Sequence, residues 1–185
     1  NIFFFFFSLK ELFWSSFLRY CATSFTLLFS SIFLFEIGQT FRFFPFGSLD
    51  SVERGITCVA LFYMLMRILA LILIFPLAQL STRIGHMWAL VLANVFAIVK
   101  FISLIAATSN PLFLILAAAC LAVETDLYFP NFQTLFAVRS DAKKVGRDVG
   151  AFDFILKLLG GMLPVLSGIL IVQLGYSVMF TVAIV

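Results

Sequence analysis

The chain has 185 residues, 63% of them hydrophobic and 11% charged, with a formal net charge of +3; an ordinary soluble domain carries roughly 25% charged residues. Phe alone occurs 26 times, more rings than the interior of a soluble fold of this length can hide. This composition excludes an ordinary soluble domain, gives no basis for nucleic-acid binding, and is that of an integral membrane protein whose main partner is the lipid bilayer.

The opening IFFFFFS lacks a preceding basic segment and a following small-residue cleavage site, so it reads as an interfacial segment rather than a signal peptide. Beyond it, a helix needs about 20 mostly apolar residues to span a bilayer, and that length cuts the chain into five full segments and one partial one. They are predicted at residues 17–37, 55–77, 87–107, 111–138, 149–173 and 176–185. The runs are continuous rather than alternating, which favours helices over a barrel. The fold class is therefore all-α, a polytopic transmembrane helical bundle. Its first residue is Asn and its last residues form an unfinished apolar run, so residues 1–185 are expected to be a fragment of a longer protein. Cys21, Cys58 and Cys120 fall in separate apolar segments without metal-ligand spacing and read as small buried hydrophobes.

The basic residues outside the spans are uneven. Lys10, Arg19, Arg83, Arg139, Lys143, Lys144 and Arg147 gather at one set of ends, and only Arg42 and Arg54 at the other. By the positive-inside rule the N-terminus and the loops QLSTRIGH and RSDAKKVGRD face the cytoplasm.

Several ionisable residues fall within spans: Arg67, Lys100, Lys157, Glu36, Glu124, Asp126 and Asp153. Such groups usually face one another or a wet cavity and mark functional sites. Arg67 and Glu124 sit near the middles of the second and fourth spans, so Arg67 is expected to pair with Glu124 or Asp126. The two acids diverge by about 200° on a helix. One stripe of the fourth span carries Glu124, Tyr128 and Asn131, the other Asp126, Pro130, Gln133 and Thr134. One of these stripes is expected to line a cavity and the other to pack on a neighbour. Pro130 frees a carbonyl and permits a kink. Asp153 and Lys157 are four apart and can pair along one face; Lys157 is also a candidate attractor of an anionic solute. Lys100 is expected to snorkel outward, Glu36 to lie at the outer interface, and His86 to be a solvated loop residue. The run GGMLPVLSG supplies small residues for close helix packing.

Three stretches carry a resemblance. The loop PLAQLSTRIGHMW is similar to a degenerate form of the signature loop of the major facilitator superfamily: Arg83 and Gly85 match, Ala78 stands for the first Gly, Thr82 for the Asp, and His86 and Met87 for the final basic pair. Gly160, Gly161, Pro164 and Gly168 resemble the Gly- and Pro-rich motif of that superfamily's fifth helix, and LYFPNFQTLFAVRSDAKKVGRDVGAF resembles bacterial members of uncertain substrate. The resemblance implies the N-terminal six-helix half of a twelve-helix transporter in the bacterial cytoplasmic membrane, with its first and fourth helices lining the cavity, its third peripheral, and a missing C-terminal half as partner. It also implies a cytoplasmic gate at Arg83 and Gly85, in which either Asp141 takes the place of the absent loop acid or the gate depends less on ion pairing. The Arg that proton-coupled drug exporters carry in the fourth helix is absent, which disfavours drug export by that route.

No phosphate loop, paired metal ligands or nucleophile triad is present, so no enzymatic activity is expected. The expected function is secondary active transport of an unidentified small solute by alternating access, without a cofactor but open to proton or sodium coupling. Arg67, Glu124, Asp126, Tyr128, Asn131 and Lys157 are the candidate pathway residues. The competing reading is a non-transporting membrane scaffold or receptor-like protein whose internal ion pairs are structural.

Overall fold

Six helices follow one another in a computed structural model that describes residues 9–40, 50–139 and 145–184. They are α1 (Leu9–Thr40), α2 (Ser51–Ile84), α3 (His86–Ala107), α4 (Phe113–Arg139), α5 (Val145–Leu174) and α6 (Tyr176–Ile184). No strand occurs among the described residues. Five helices contain stretches long and apolar enough to cross a membrane. At 1.5 Å of rise per residue, the 34 residues of α2 extend about 51 Å, well beyond a hydrocarbon core of about 30 Å. Its ends must therefore reach past the lipid tails.

The expected loop QLSTRIGH is helical as far as Ile84. Nothing before Gly85 breaks a helix, and the hydroxyls of Ser81 and Thr82 fold back onto the carbonyls of Ala78 and Gln79 at 2.9 and 2.8 Å. Such back-bonding lets polar residues continue a helix. The connection between α2 and α3 is thus Gly85 alone. Asp141, Lys143 and Lys144 lie outside the described residues, as does Arg42.

Two connections are built alike. Gly85 between α2 and α3 has φ 88°, and Gly175 between α5 and α6 has φ 83°. Each glycine N–H donates to a carbonyl four residues earlier, Ser81 at 2.9 Å and Ile171 at 2.8 Å. Each glycine carbonyl accepts from the N–H four residues later, Ala89 at 3.1 Å and Met179 at 3.4 Å. A positive φ reverses the chain while keeping those bonds, and glycine alone adopts it without a Cβ penalty.

The helix pairings share that symmetry. α4 packs on α3 and α2, α1 on α2 and α5, α6 on α3, α1 and α5, and α2 touches α3. Exchanging helices one to three with helices four to six turns α1–α5 into α2–α4, α2–α3 into α5–α6 and α1–α6 into α3–α4, and leaves α3–α6 unchanged. The α1–α2 contact has no comparable counterpart, and the α3–α4 contact is far more extensive than the α1–α6 contact it maps onto. The α1–α2 contact depends on two glycines the sequence motifs did not single out: a Cβ on Gly38 would stand 2.5 Å from Cys58 Cβ, and one on Gly55 would stand 2.6 Å from the Phe35 ring.

The main apolar core joins Phe33, Leu34, Phe62, Phe101, Leu104, Met179 and Phe180. A second cluster holds α3 to α4 around Ala89, Ala93, Leu127 and Phe136. Outside, α2 presents Leu71, Ile72 and Phe75, and α5 presents Phe154, Leu158, Val165 and Val172, all exposed. An apolar surface this wide is untenable in water and suits lipid.

Candidate functional site

A stripe of polar residues runs along α1 at helical spacing: Ser16, Arg19, Thr23, Thr26 and Ser30. It faces inward, with Ser16 and Thr26 buried. Opposite, α3 offers a stripe of small residues, Ala89, Ala93, Ser103 and Ala107, which also contains Lys100, all buried. The third wall is the α4 stripe of Glu124, Tyr128 and Asn131, also buried.

Glu124 joins the three helices. Its Oε1 accepts from Arg19 Nη2 at 2.7 Å and its Oε2 from Lys100 Nζ at 2.8 Å. The side chains are 5% exposed for Glu124, 13% for Arg19 and 8% for Lys100. Taking three charges out of water is costly unless each is matched and hydrogen-bonded, and here one carboxylate serves two cations. The cations are further held: Arg19 Nη1 donates to Asn94 Oδ1 at 3.0 Å, and its guanidinium lies 3.5 Å from the centroid of the Tyr128 ring. Lys100 Nζ stands 4.2 Å from the centroid of the Phe101 ring. The Tyr128 hydroxyl donates to Ser16 Oγ at 2.9 Å, and its ring stacks on Phe132.

Glu124 therefore pairs with Arg19 and Lys100, not with Arg67. Equal depth was a sound clue to level but not to azimuth. Arg67 faces the other side of α4, where its charge acts on Asp126. Arg67 is exposed and Asp126 half-buried, and the Asp126 Oδ2 has no hydrogen-bond partner among the described residues. Lys100 does not snorkel outward. Arg19, grouped by sequence with the cytoplasmic basic residues, belongs to the interior.

The remaining candidates separate from this cluster. Asn131 donates from Nδ2 to the Leu127 carbonyl at 2.6 Å, and its Oδ1 lies 2.6 Å from His86 Nδ1. With the amide nitrogen committed, the Asn131 oxygen accepts and His86 Nδ1 donates. The pair pins the start of α3 to α4, so His86 is a packing residue rather than a solvated one. Lys157 pairs with Asp153 at 2.6 Å as its spacing predicts, but on an exposed face of α5. Glu36 accepts from the Tyr176 hydroxyl at 3.0 Å, tying α1 to α6. Arg83 is exposed in the last turn of α2. Of the fifth-helix motif, Gly160 and Gly168 face Tyr20 and Phe29 of α1, where an added Cβ would stand 2.9 and 3.1 Å away, while Gly161 has nothing within 4 Å.

The charged cluster opens on a cavity of about 460 Å³, within the usual range for small-molecule sites. Arg19, Asn94 and Glu124 form its charged end, Ser15, Cys21 and Thr23 add smaller polar groups from α1, and apolar residues such as Phe25, Phe101 and Leu163 line the rest. The cavity lies between α1 and α3, with Glu124 of α4 at one end and residues of α5 and α6 completing the wall; α1 and α4 touch only sparsely and are linked by Arg19 and by the Tyr128–Ser16 hydrogen bond. A second cavity, of about 320 Å³ between α1, α2 and α4, has Arg54 as its only charged lining group among the described residues. No family model, curated protein or solved structure matches the chain. Among the described residues there is also no group of three or more His, Cys, Asp or Glu placed to hold a metal ion. What the arrangement offers is a buried carboxylate flanked by two cations at one end of a largely apolar cavity.

Proposed function

We propose that this chain is the N-terminal six-helix half of a secondary transporter, similar in architecture to the major facilitator superfamily, which carries a small solute by alternating access. The observation that carries the reading is the buried Arg19–Glu124–Lys100 cluster at the polar end of a cavity between sparsely contacting helices. Ionisable groups at membrane depth mark solute and proton pathways by default, and secondary transporters place their sites near the midplane between repeats. The exchange symmetry of the helix pairings, and the matching glycine connections, support an inverted three-plus-three repeat, because successive spans alternate direction. On this reading the apolar faces of α2 and α5 meet lipid and the second six-helix half. The basic ends at Arg83 and in the 139–147 segment set the N-terminus in the bacterial cytoplasm.

One observation favours the structural alternative: both Glu124 oxygens are already satisfied, as a purely bracing residue's would be. Flux separates the two. Proteoliposomes holding the complete protein, this six-helix half together with the second one, are screened with labelled organic anions, cations and sugars, with and without an imposed pH gradient. The transport reading expects concentrative uptake of at least one class, lost in Glu124→Gln. Uptake no faster than in empty liposomes across the panel removes it and leaves the scaffold.

A further inference from the structure

We infer that the solute is a small organic monoanion with an apolar body, bound as the missing counter-charge of the Arg19–Glu124–Lys100 cluster. This rests on the transport reading and names the substrate class of that site.

The cluster is short of one negative charge. Arg19 and Lys100 bring two positive charges and Glu124 one negative, so a single positive charge is left unmatched in a buried setting. Arg19 and Glu124 are the only charged lining groups of the cavity among the described residues, and the walls from α5 and α6, Leu163, Val182, Ala183 and Ile184, are all apolar. An unmatched buried charge is costly, and a hydrogen-bonded counter-ion relieves that cost. A neutral solute would leave the charge as it is, a cation would double it, and a dianion would reverse its sign. A monoanion alone brings the cluster to zero, while Glu124 keeps both of its cations and no group changes its protonation.

The hydrogen-bonding groups select the same ligand. Each Glu124 oxygen already accepts from a cation. A guanidinium has no acceptor, so Asn94 must turn its amide oxygen to Arg19, which leaves its Nδ2 as a donor. Arg19 has five N–H groups, and its bonds to Glu124 and Asn94 use two of them. The charged end of the cavity therefore keeps N–H donors of Arg19 and Asn94 without partners among the described residues, and every side-chain carbonyl or carboxylate oxygen there is already bonded. Thr23, one turn from Arg19 along α1 and also lining the cavity, adds a hydroxyl that can donate. A carboxylate or sulfonate, which only accepts, fits that set of donors; a sugar or an amine would bring further donors to it. Away from this end Phe25, Phe101 and Leu163 form apolar walls, which suit an aliphatic or aromatic body. Lys100 does not line the cavity and stands behind Glu124, so it acts on the anion through its charge alone.

The test is titration calorimetry on the complete protein, both six-helix halves, purified in detergent and kept in chloride-free buffer. The ligands are benzoate and hexanoate, with benzamide as neutral isostere and acetate as an anion without the apolar body. Expected is binding of at least one of the two acids, with benzamide and acetate each roughly tenfold weaker or more. Lys100→Met removes the unmatched charge without changing the cavity wall and should weaken the acid roughly tenfold or more; Glu124→Gln leaves both cations unmatched and should tighten it by a similar factor. In Arg19→Gln binding should vanish. Overturning results are no binding of either acid, equal binding of benzamide or acetate, unchanged affinity in Lys100→Met, or weaker binding in Glu124→Gln. Should Glu124→Gln or Arg19→Gln fail to fold, the ligand comparisons on the parent and the Lys100→Met affinity still decide. Acid binding without flux of any solute would sink transport and keep the anion site; flux of a sugar or a cation without acid binding would do the reverse.

Discussion

Removing Glu124 and removing Lys100 should have opposite-sized effects, although the two residues share one ion pair. Glu124→Gln leaves Arg19 and Lys100 facing an amide that can accept from only one of them, and it leaves two buried like charges side by side. Removing one partner of a buried pair costs about 3–5 kcal/mol. Arg19 retains Asn94 and the Tyr128 ring, whereas Lys100 keeps only the Phe101 ring, so most of the loss falls on Lys100. Lys100→Met leaves Glu124 matched one to one by Arg19 and should stay within about 1 kcal/mol of the parent, since the large cost of breaking a buried pair comes from an uncompensated charge and none is left here. The double variant should then be more stable than Glu124→Gln alone, with a coupling of about 2 kcal/mol, inside the range for contacting residues. Equilibrium unfolding in mixed detergent micelles, followed by circular dichroism, reads all four proteins. Equal cost for the two single changes, or simple addition in the double, would refute the account of one acid serving two cations.

Charge reversal separates the two acids of α4: Arg67→Glu should not be rescued by Glu124→Arg, while Arg67→Glu with Asp126→Arg should recover expression, as read by fluorescence-detected size exclusion. Gly38→Ala and Gly55→Ala should each lower the melting temperature, because the new methyl group meets Cys58 and Phe35 with no room to shift, whereas Gly161→Ala should be neutral or stabilising by up to about 1 kcal/mol. Gly85→Ala and Gly175→Ala should each cost about 1–3 kcal/mol through the positive φ alone. If the alanine at 85 is harmless and the one at 175 is not, the two connections are not equivalent.

The six helices and their order were legible because bilayer thickness imposes a length that apolar runs must meet. Their ends were less so: Ser81 and Thr82 look like loop residues, yet they prolong α2 by bonding their own backbone. Spacing along one helix was equally dependable. It grouped Glu124 with Tyr128 and Asn131, separated Asp126 from them, and joined Asp153 to Lys157. What spacing cannot give is which neighbour a stripe faces, and for that reason Arg67 is a plausible partner of Glu124 in sequence and on the wrong side in space. Usable signals for the true partners were nonetheless present. Arg19 belongs to a polar stripe from Ser16 to Ser30, and Lys100 sits among alanines and a serine, the small residues that mark helix contacts. A lysine on such a face points inward, whatever its distance from the membrane surface.

Alternating access is the central claim, and Cys21 offers a direct probe of it, since it is a free thiol lining the cavity beside Arg19. With Cys58 and Cys120 replaced by serine, labelling of Cys21 by a membrane-impermeant maleimide is measured from each side of oriented vesicles, with and without a pH gradient. The account predicts reaction from both sides, with the two rates moving in opposite directions when the gradient is applied. Labelling from one side only, unchanged by the gradient, would contradict it.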